Sequence, residues 1–342
     1  MPGFLSELSG VQRFLLFFTQ KLRLSNPWKF KAPFLITVPY IVLLQGQYAN
    51  GAAAFTAILA SVLIIVGVAG IGYLTNDLGD RKKDALIKKQ NATGRMSAAS
   101  LALLFVLFLC LALLPWLCLP FDALSLLLLA VQFALFYAYA FKPFRLKEKG
   151  MAGVITDALY AHANPTLLAA YTFLLYTNAS LTEFGLPLLF LCLWQLLLGM
   201  RNILLHQLKD LDDDRRSGTR TFVTASGKER SETLVKRWLL PMELILFIAF
   251  ISLIGLYQEI PLLLPACGLF WLITRIQKKN AVTGYRSFAY TYLDNLYILW
   301  LPLFILGELV ALSATYLYIA ALHLLLFRSG LKDIFYKLIR QS

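Results

Sequence analysis

Two acidic segments, 76-NDLGDRKKD-84 and 210-DLDDDRRSG-218, hold the residues of this chain best suited to chemistry. In the first, Asn76, Asp80 and Asp84 recur every four residues, so a helix through them stacks their oxygens on one face with Asp77 alongside. In the second, Asp210 and Asp214 are four apart, Asp213 takes the intervening three-residue step, and Gly218 can end the turn. Hard divalent cations take oxygen ligands, and magnesium is commonly held by one or two carboxylates while substrate phosphates complete its octahedron. Carboxylates gathered this closely repel one another unless cations intervene. Either segment alone also reads as a solvated run balancing its own Lys and Arg. Two of them, at matching places, favour Mg2+.

The elements that must carry these residues are set by composition. The 342-residue chain is 59% apolar and only 15% charged, with a mean hydropathy of +0.67, too apolar for a soluble globule. About 20 apolar residues cross the hydrocarbon core as a helix, and ten such stretches are read, near 33–49, 52–75, 98–117, 121–141, 152–176, 184–207, 235–257, 259–275, 289–307 and 312–327. The expected fold is an all-α polytopic membrane protein, a bundle of nine to ten transmembrane helices around a central cavity. The second and sixth spans each end in an acidic motif followed by a basic, Gly-containing loop, which predicts two pseudo-repeated halves.

Apart from Arg201, every Lys and Arg falls in the N-terminal segment, in alternate connections or in the C-terminal tail, while the connections near 50, 119, 180, 258 and 310 hold none. The positive-inside rule then places the N-terminus and both motif loops (76–97 and 208–234) in the cytosol of a multi-pass integral membrane protein. The same parity makes 289–327 a hairpin turning near Gly307 and Glu308, which keeps the basic tail inside. The net charge of +13 is explained by this topology and by anionic headgroups rather than by nucleic acid. Residues 1–31 read as an interfacial amphipathic segment. Cys110, Cys118, Cys192 and Cys267 lack metal or disulfide spacing and are read as packing residues. No polar stretch is long enough for a soluble domain, so 1–342 is one transmembrane domain, with no obligate protein partner inferred.

Polar groups at membrane depth are costly and usually face a cavity. Asp157, His162 and Asn164 lie on the fifth span, Arg201 and Asn202 on the sixth, Asp294 and Asn295 on the ninth. Asp157 and Asp294 are candidates to bind or deprotonate an acceptor, and His206 to touch a diphosphate or the acceptor. An interhelical ion pair of Arg201 with Asp157 or Asp294 is the structural alternative.

The two acidic segments resemble the NDxxDxxxD and DxxxD signatures of the UbiA superfamily of intramembrane prenyltransferases, and their placement after the second and sixth helices matches. The segment 142-KPFRLKEKG-150, preceded by Tyr137 and Tyr139, is similar to that superfamily's Tyr…Pro-x-Arg-x-Lys-x-x-Gly segment. The resemblance implies that Asn76, Asp80, Asp210 and Asp214 are the principal magnesium–diphosphate ligands, assisted by Asp77, Asp84 and Asp213. Lys142, Arg145 and Lys147 would bind diphosphate oxygens, and Arg201 and His206 join them as candidates.

The implied enzyme transfers prenyl groups (alkyl or aryl, other than methyl). It would move a prenyl group from a polyprenyl diphosphate to a lipophilic acceptor, aromatic ones included, as in quinone or lipid biosynthesis. Asp80, Asp214, Asp157 and Asp294 are its expected catalytic carboxylates. A membrane transporter would need its charges near the bilayer midplane, and a polyprenyl-phosphate phosphoribosyltransferase keeps the chemistry with another donor. The segment 88-KKQNATGRMS-97 replaces the Lys-Arg-Pro type of continuation of several quinone-pathway members, so acceptor and prenyl length stay open.

Overall fold

The computed structural model describes residue 28 and residues 31–89, 91–255 and 293–328. The N-terminal segment up to residue 27 and the expected span at 259–275 lie outside them. Among the described residues every regular element is helical. Helices α1 (Ala32–Gln45), α2 (Gly51–Leu86), α3 (Ala98–Leu113) and α4 (Ala123–Ala140) form the first set. The chain then continues through α5 (Met151–Ala158), α6 (Asn164–Thr177) and α7 (Leu181–Lys209). Short helices α8 (Leu211–Arg216), α9 (Phe222–Ser226) and α10 (Lys228–Leu234) lead to α11 (Leu240–Leu253), and the last described pieces are α12 (Leu301–Leu312) and α13 (Leu317–Leu326). The closest packed pairs are α2 with α3 and α7 with α11, the same step taken after each acidic motif.

Helix α2 has 36 residues, about 54 Å at 1.5 Å per residue, whereas about 30 Å crosses the hydrocarbon. Its excess length carries residues 76–84, so the first motif is a helix end and not a loop. A hydropathy window stops at residue 75 because the charges begin there; the backbone does not.

Three π turns, Leu159–Ala163, Val235–Leu239 and Leu296–Trp300, join α5 to α6, α10 to α11 and the chain before α12 to α12. Each precedes a proline, Pro165, Pro241 or Pro302. Proline lacks the N–H for its turn and its ring clashes with the carbonyl four residues back, which in all three cases lies inside the π turn; the wider turn accommodates that clash.

The end of the bundle away from the motifs is tied by polar contacts. Gln45 Nε2 donates to Ile254 O at 2.7 Å, Gly51 N donates to Thr315 Oγ1 at 3.0 Å, and the Tyr316 hydroxyl donates to Tyr48 O. At the motif end Trp28 Nε1 donates to Leu326 O at 3.1 Å. Residues 301–326 are therefore a hairpin, as the charge parity requires, but it turns at Ser313–Tyr316 and not near Gly307 and Glu308. Helix α12 runs through Gly307 because a single glycine is tolerated there, and the extended backbone of Ser313 ends it.

The core is aromatic where α1, α7, α11 and residues 293–312 meet. Trp194 is fully buried, with ring centroids 5.1 Å from Phe34, 4.8 Å from Phe247 and 4.9 Å from Tyr297. Between lipid-facing helices such packing replaces the hydrophobic drive available in water. The thiols of Cys110 and Cys118 are exposed on the helix surface rather than packed, and Cys192 is half-buried.

Candidate active site

The first motif occupies the last turns of α2. Gly79, inside it, permits a close approach: a Cβ there would lie 2.7 Å from Ala140 O at the end of α4. Arg145 locks this contact, donating from Nη1 to both Gly79 O and Ala140 O at 2.9 Å. It reaches Asp80 Oδ1 at 3.3 Å and Glu148 Oε1 at 2.6 Å. Lys147 pairs with the other oxygen of Asp80. Gly79→Ala must push backbone apart at this joint, so the variant is expected to stay helical by circular dichroism and lose tenfold to about a hundredfold in transfer, the scale of a roughly 1 Å misplacement.

The loop after α2 folds back beneath the motif. Asn91 Nδ2 donates to Asp77 O and to Asp84 Oδ2, each at 2.8 Å, and Ala92 N donates to Asp77 Oδ2 at 3.3 Å.

The second motif straddles a helix break. Asp210 ends α7 and its carbonyl accepts from Asp214 N at 2.9 Å, starting α8. Lys89 Nζ lies 3.1 Å from Asp210 Oδ2, and His206 Nδ1 lies 3.7 Å from Asp210 Oδ1. Asp213 pairs with Arg216, and Thr221 donates to Asp214 Oδ2 at 3.3 Å. Lys83 joins two loops, donating to Glu148 Oε1 at 2.7 Å and to Gly218 O at 3.3 Å. Burial opposes the charge on Glu148, but hydrogen bonds from Lys83 and Arg145 outweigh it and hold its carboxyl below the ordinary value.

Asp214 goes the other way: burial, with Asp210 adding to it, raises its carboxyl above the ordinary range, against the pull of Lys147 and Lys89. It therefore keeps its proton to a higher pH than an ordinary aspartate. If its anion is needed, magnesium-dependent pyrophosphate binding should fail on acidification at a pH above the usual Asp range, and Asp214→Asn should flatten that limb. Calorimetric titration at stepped pH checks this.

A cavity of about 1100 Å³ runs inward from both motifs. Asn76, Asp77, Asp80, Asp84, Asp210, Asp213 and Asp214 line its mouth with Lys83, Lys89, Lys147 and His206. Its body is walled by apolar side chains such as Ile64, Val68, Leu107, Leu168, Trp116 and Leu119. Asp157, Tyr160, Tyr139, Lys31 and Asn202 form a polar patch on its wall. Among the described residues, no group of three His, Cys, Asp or Glu side chains is arranged to hold a metal ion by itself.

The sequence matches the profile of the UbiA prenyltransferase family over residues 35–296. The chain belongs to that family. Members of the UbiA family are prenyl-transferring enzymes and integral membrane proteins, and the chain is accordingly a transferase with several apolar helices long enough to cross a bilayer. No curated protein matches it significantly. Solved UbiA homologs from Archaeoglobus fulgidus share the fold. The one bound to GPP and Mg2+ has a TM-score of 0.58 at 18% identity, covering 86% of this chain and 99% of its own. The one bound to DMAPP and Mg2+ has 0.51 at 17%, over 90% and 99%. A third, bound to Cd2+, has 0.55 at 19%, over 86% and 98%.

Within this UbiA-family chain the expected site residues separate. All seven expected metal ligands, with Lys147, His206 and Asp157, line one cavity. Lys142 does not; it is exposed outside the cavity. Arg145 lies beneath Asp80 as a brace and does not line the cavity. Arg201 and Asp294, expected as diphosphate binder and catalytic carboxylate, stand apart from these residues. Arg201 is fully buried, with Nε 2.7 Å from Glu243 Oε2 and Nη2 2.8 Å from Asp294 Oδ1, and neither residue lines the cavity. Its charge is met by two carboxylates, which is the interhelical alternative. Glu243, Lys83, Lys89, Glu148 and Tyr160 went unassigned from sequence. Lys83, three residues after Asp80, and Glu148, the one acid among the basic residues 142–149, carried a spacing signal; the others carried none.

Proposed function

We propose that this chain is a magnesium-dependent intramembrane prenyltransferase that moves a prenyl group from a polyprenyl diphosphate to a lipophilic acceptor and releases diphosphate. The observation that carries this is one continuous cavity with a charged, oxygen-rich mouth and an apolar body. Such a shape takes a molecule with a multiply charged anionic head and a hydrocarbon tail. Relatives bound to GPP or DMAPP with Mg2+ support the reading. A transporter calls for charges at mid-depth and a path to both faces; here six of the seven acidic residues that line the cavity belong to the two motifs.

The donor set fits magnesium. It is all hard oxygen and offers no closed cage, as suits an ion that takes few protein carboxylates and fills its shell with phosphate and water. Asn76, Asp80, Asp210 and Asp214 would hold it, with Asp77, Asp84 and Asp213 behind them. When bound it supplies Lewis-acid neutralisation of the leaving diphosphate. The chain's own part is positional and electrostatic. Lys147, Lys83 and Lys89 present positive charge at the mouth, where a preorganised, poorly hydrated field stabilises developing negative charge. The apolar walls keep water from the allylic carbon. We place this mouth on the cytosolic face, and we read the whole chain as one transmembrane domain working in the bilayer.

The test incubates purified protein with labelled prenyl diphosphates and a panel of phenolic, alcohol and quinone-precursor acceptors, with and without magnesium. Pyrophosphate release should require magnesium. Release that proceeds equally in EDTA, or magnesium-independent flux of the donor across proteoliposomes, overturns the proposal.

A further inference from the structure

The polar patch on the cavity wall is not used by the diphosphate reading. Asp157 is 9% exposed and lines the cavity, and the Tyr160 hydroxyl donates to its Oδ1. Among the described residues it makes no ion pair; Lys31, at the start of α1, acts on it only through space. The chain shows elsewhere what a structural carboxylate looks like at this depth: Glu243 is fully buried off the cavity and receives two hydrogen bonds from Arg201. A buried charge without such a partner is expensive and is kept where something else engages it.

The geometry around Asp157 is built, not incidental. Tyr160 sits in the π turn between α5 and α6, and its carbonyl accepts from Gln132 Nε2 at 2.8 Å, while Gln132 Oε1 accepts from Asn164 Nδ2 at 2.7 Å. These bonds fix the turn that aims the phenol at the carboxylate. A Cβ on Gly199 would lie 2.8 Å from Ala158 Cα, so only glycine lets α7 close on α5 here. One turn further along α7, Asn202 lines the same cavity with its Oδ1 buried and unbonded. Tyr139 connects the patch to the mouth. Its ring stands edge-on to Tyr160 with centroids 5.1 Å apart, and it lies within electrostatic reach of Asp157 on one side and of Asp80 and Asp214 on the other.

Asp157 as an anion and the Asn202 carbonyl are acceptors only, so they select a donor and disfavour an anion. We infer that Asp157, positioned by Tyr160, is the acceptor subsite: it binds a neutral, hydroxyl-bearing amphiphile and takes its proton during transfer. This rests on the prenyl-transfer reading. In the step, the acceptor oxygen forms a bond to C1 of the prenyl group and the C1–O bond to diphosphate breaks, its electron pair leaving on diphosphate. The hydroxyl proton passes to Asp157, which later releases it to water at the mouth. The products are a prenyl ether and diphosphate.

The test measures binding of 4-nonylphenol and 1-dodecanol, each against its methyl ether, to the full-length protein in nanodiscs, alongside magnesium-dependent pyrophosphate binding. Hydrogen bonds to a charged group discriminate by about tenfold to a hundredfold, so at least one hydroxyl probe should bind that much more tightly than its ether. Asp157→Asn should erase the preference and leave pyrophosphate binding unchanged. Tyr160→Phe, which removes only the positioning bond, should shrink it several-fold and serves if the Asn variant does not fold. Equal binding of hydroxyl and ether by the wild type, or an undiminished preference in both variants, overturns the inference. Failure of the donor reading looks different: Asp80→Asn would then keep the full gain in pyrophosphate affinity that magnesium brings, whatever the hydroxyl probes do.

Discussion

Asp80→Asn is expected to cut magnesium-dependent pyrophosphate release by about a hundredfold or more, the scale seen when one preorganised electrostatic group is removed from an active site. Asp80 is the carboxylate on which the site converges: Lys147 and Arg145 both reach it from the loop after α4, and it lines the cavity. The substitution keeps the shape but removes the charge that answers two cations and turns one of the two accepting oxygens into a donor. The sign of a second measurement is then informative. Without magnesium, the unmasked Lys147, which lines the cavity, should hold pyrophosphate at least as tightly as in the wild type. With magnesium, the variant should gain little further affinity while the wild type gains strongly. Lys147→Ala should do the reverse, weakening binding under both conditions. Release by Asp80→Asn equal to that of the wild type defeats the assignment.

How much of this was legible in the sequence depends on whether a residue carried its own spacing. Asn76, Asp80 and Asp84 announce one helical face by their four-residue period, and that period holds because α2 continues to Leu86. The hydropathy signal missed the continuation, since it reports where the hydrocarbon ends and not where the backbone unwinds. Asp210 and Asp214 keep their period across a helix break because Asp214 N still bonds to Asp210 O. Charge parity over the connections was enough to require the final hairpin. Its turn was misplaced because glycine beside a charge is a turn signal, whereas α12 passes through Gly307 unbroken.

Partnership was not legible. Arg201, Asp157 and Asp294 all read as costly intramembrane charges, and nothing in their spacing says which of them neutralise one another or that Glu243 joins them. Only the packing of α7 against α11 and the start of the last hairpin does. The same holds for Lys89 with Asp210, 121 positions apart. The chain shows Pro165, Pro241 and Pro302, but that each sits just after a π turn, and that one such turn carries Tyr160 to Asp157, follows only from three dimensions.

Arg201→Met should destabilise the folded protein by about 3–5 kcal/mol, because removing one member of a buried ion pair strands the other's charge. Two carboxylates would be stranded here: Glu243, whose side chain is wholly buried, and Asp294, at 17% exposure. The triad is not self-evidently stabilising, since desolvating three charges consumes much of what their attraction returns, and Arg201 Nη1 is left without a partner. The triple variant Arg201→Met, Glu243→Leu, Asp294→Asn should therefore recover most of the loss. Thermal unfolding followed by tryptophan fluorescence suits the measurement, as Trp194 packs on Phe247 and Tyr297 beside the triad. Pyrophosphate binding separates this role from the one the sequence suggested. Below its melting temperature Arg201→Met should bind pyrophosphate with magnesium as the wild type does, because Arg201 does not line the cavity. A variant that melts normally but no longer binds pyrophosphate would return Arg201 to the substrate site.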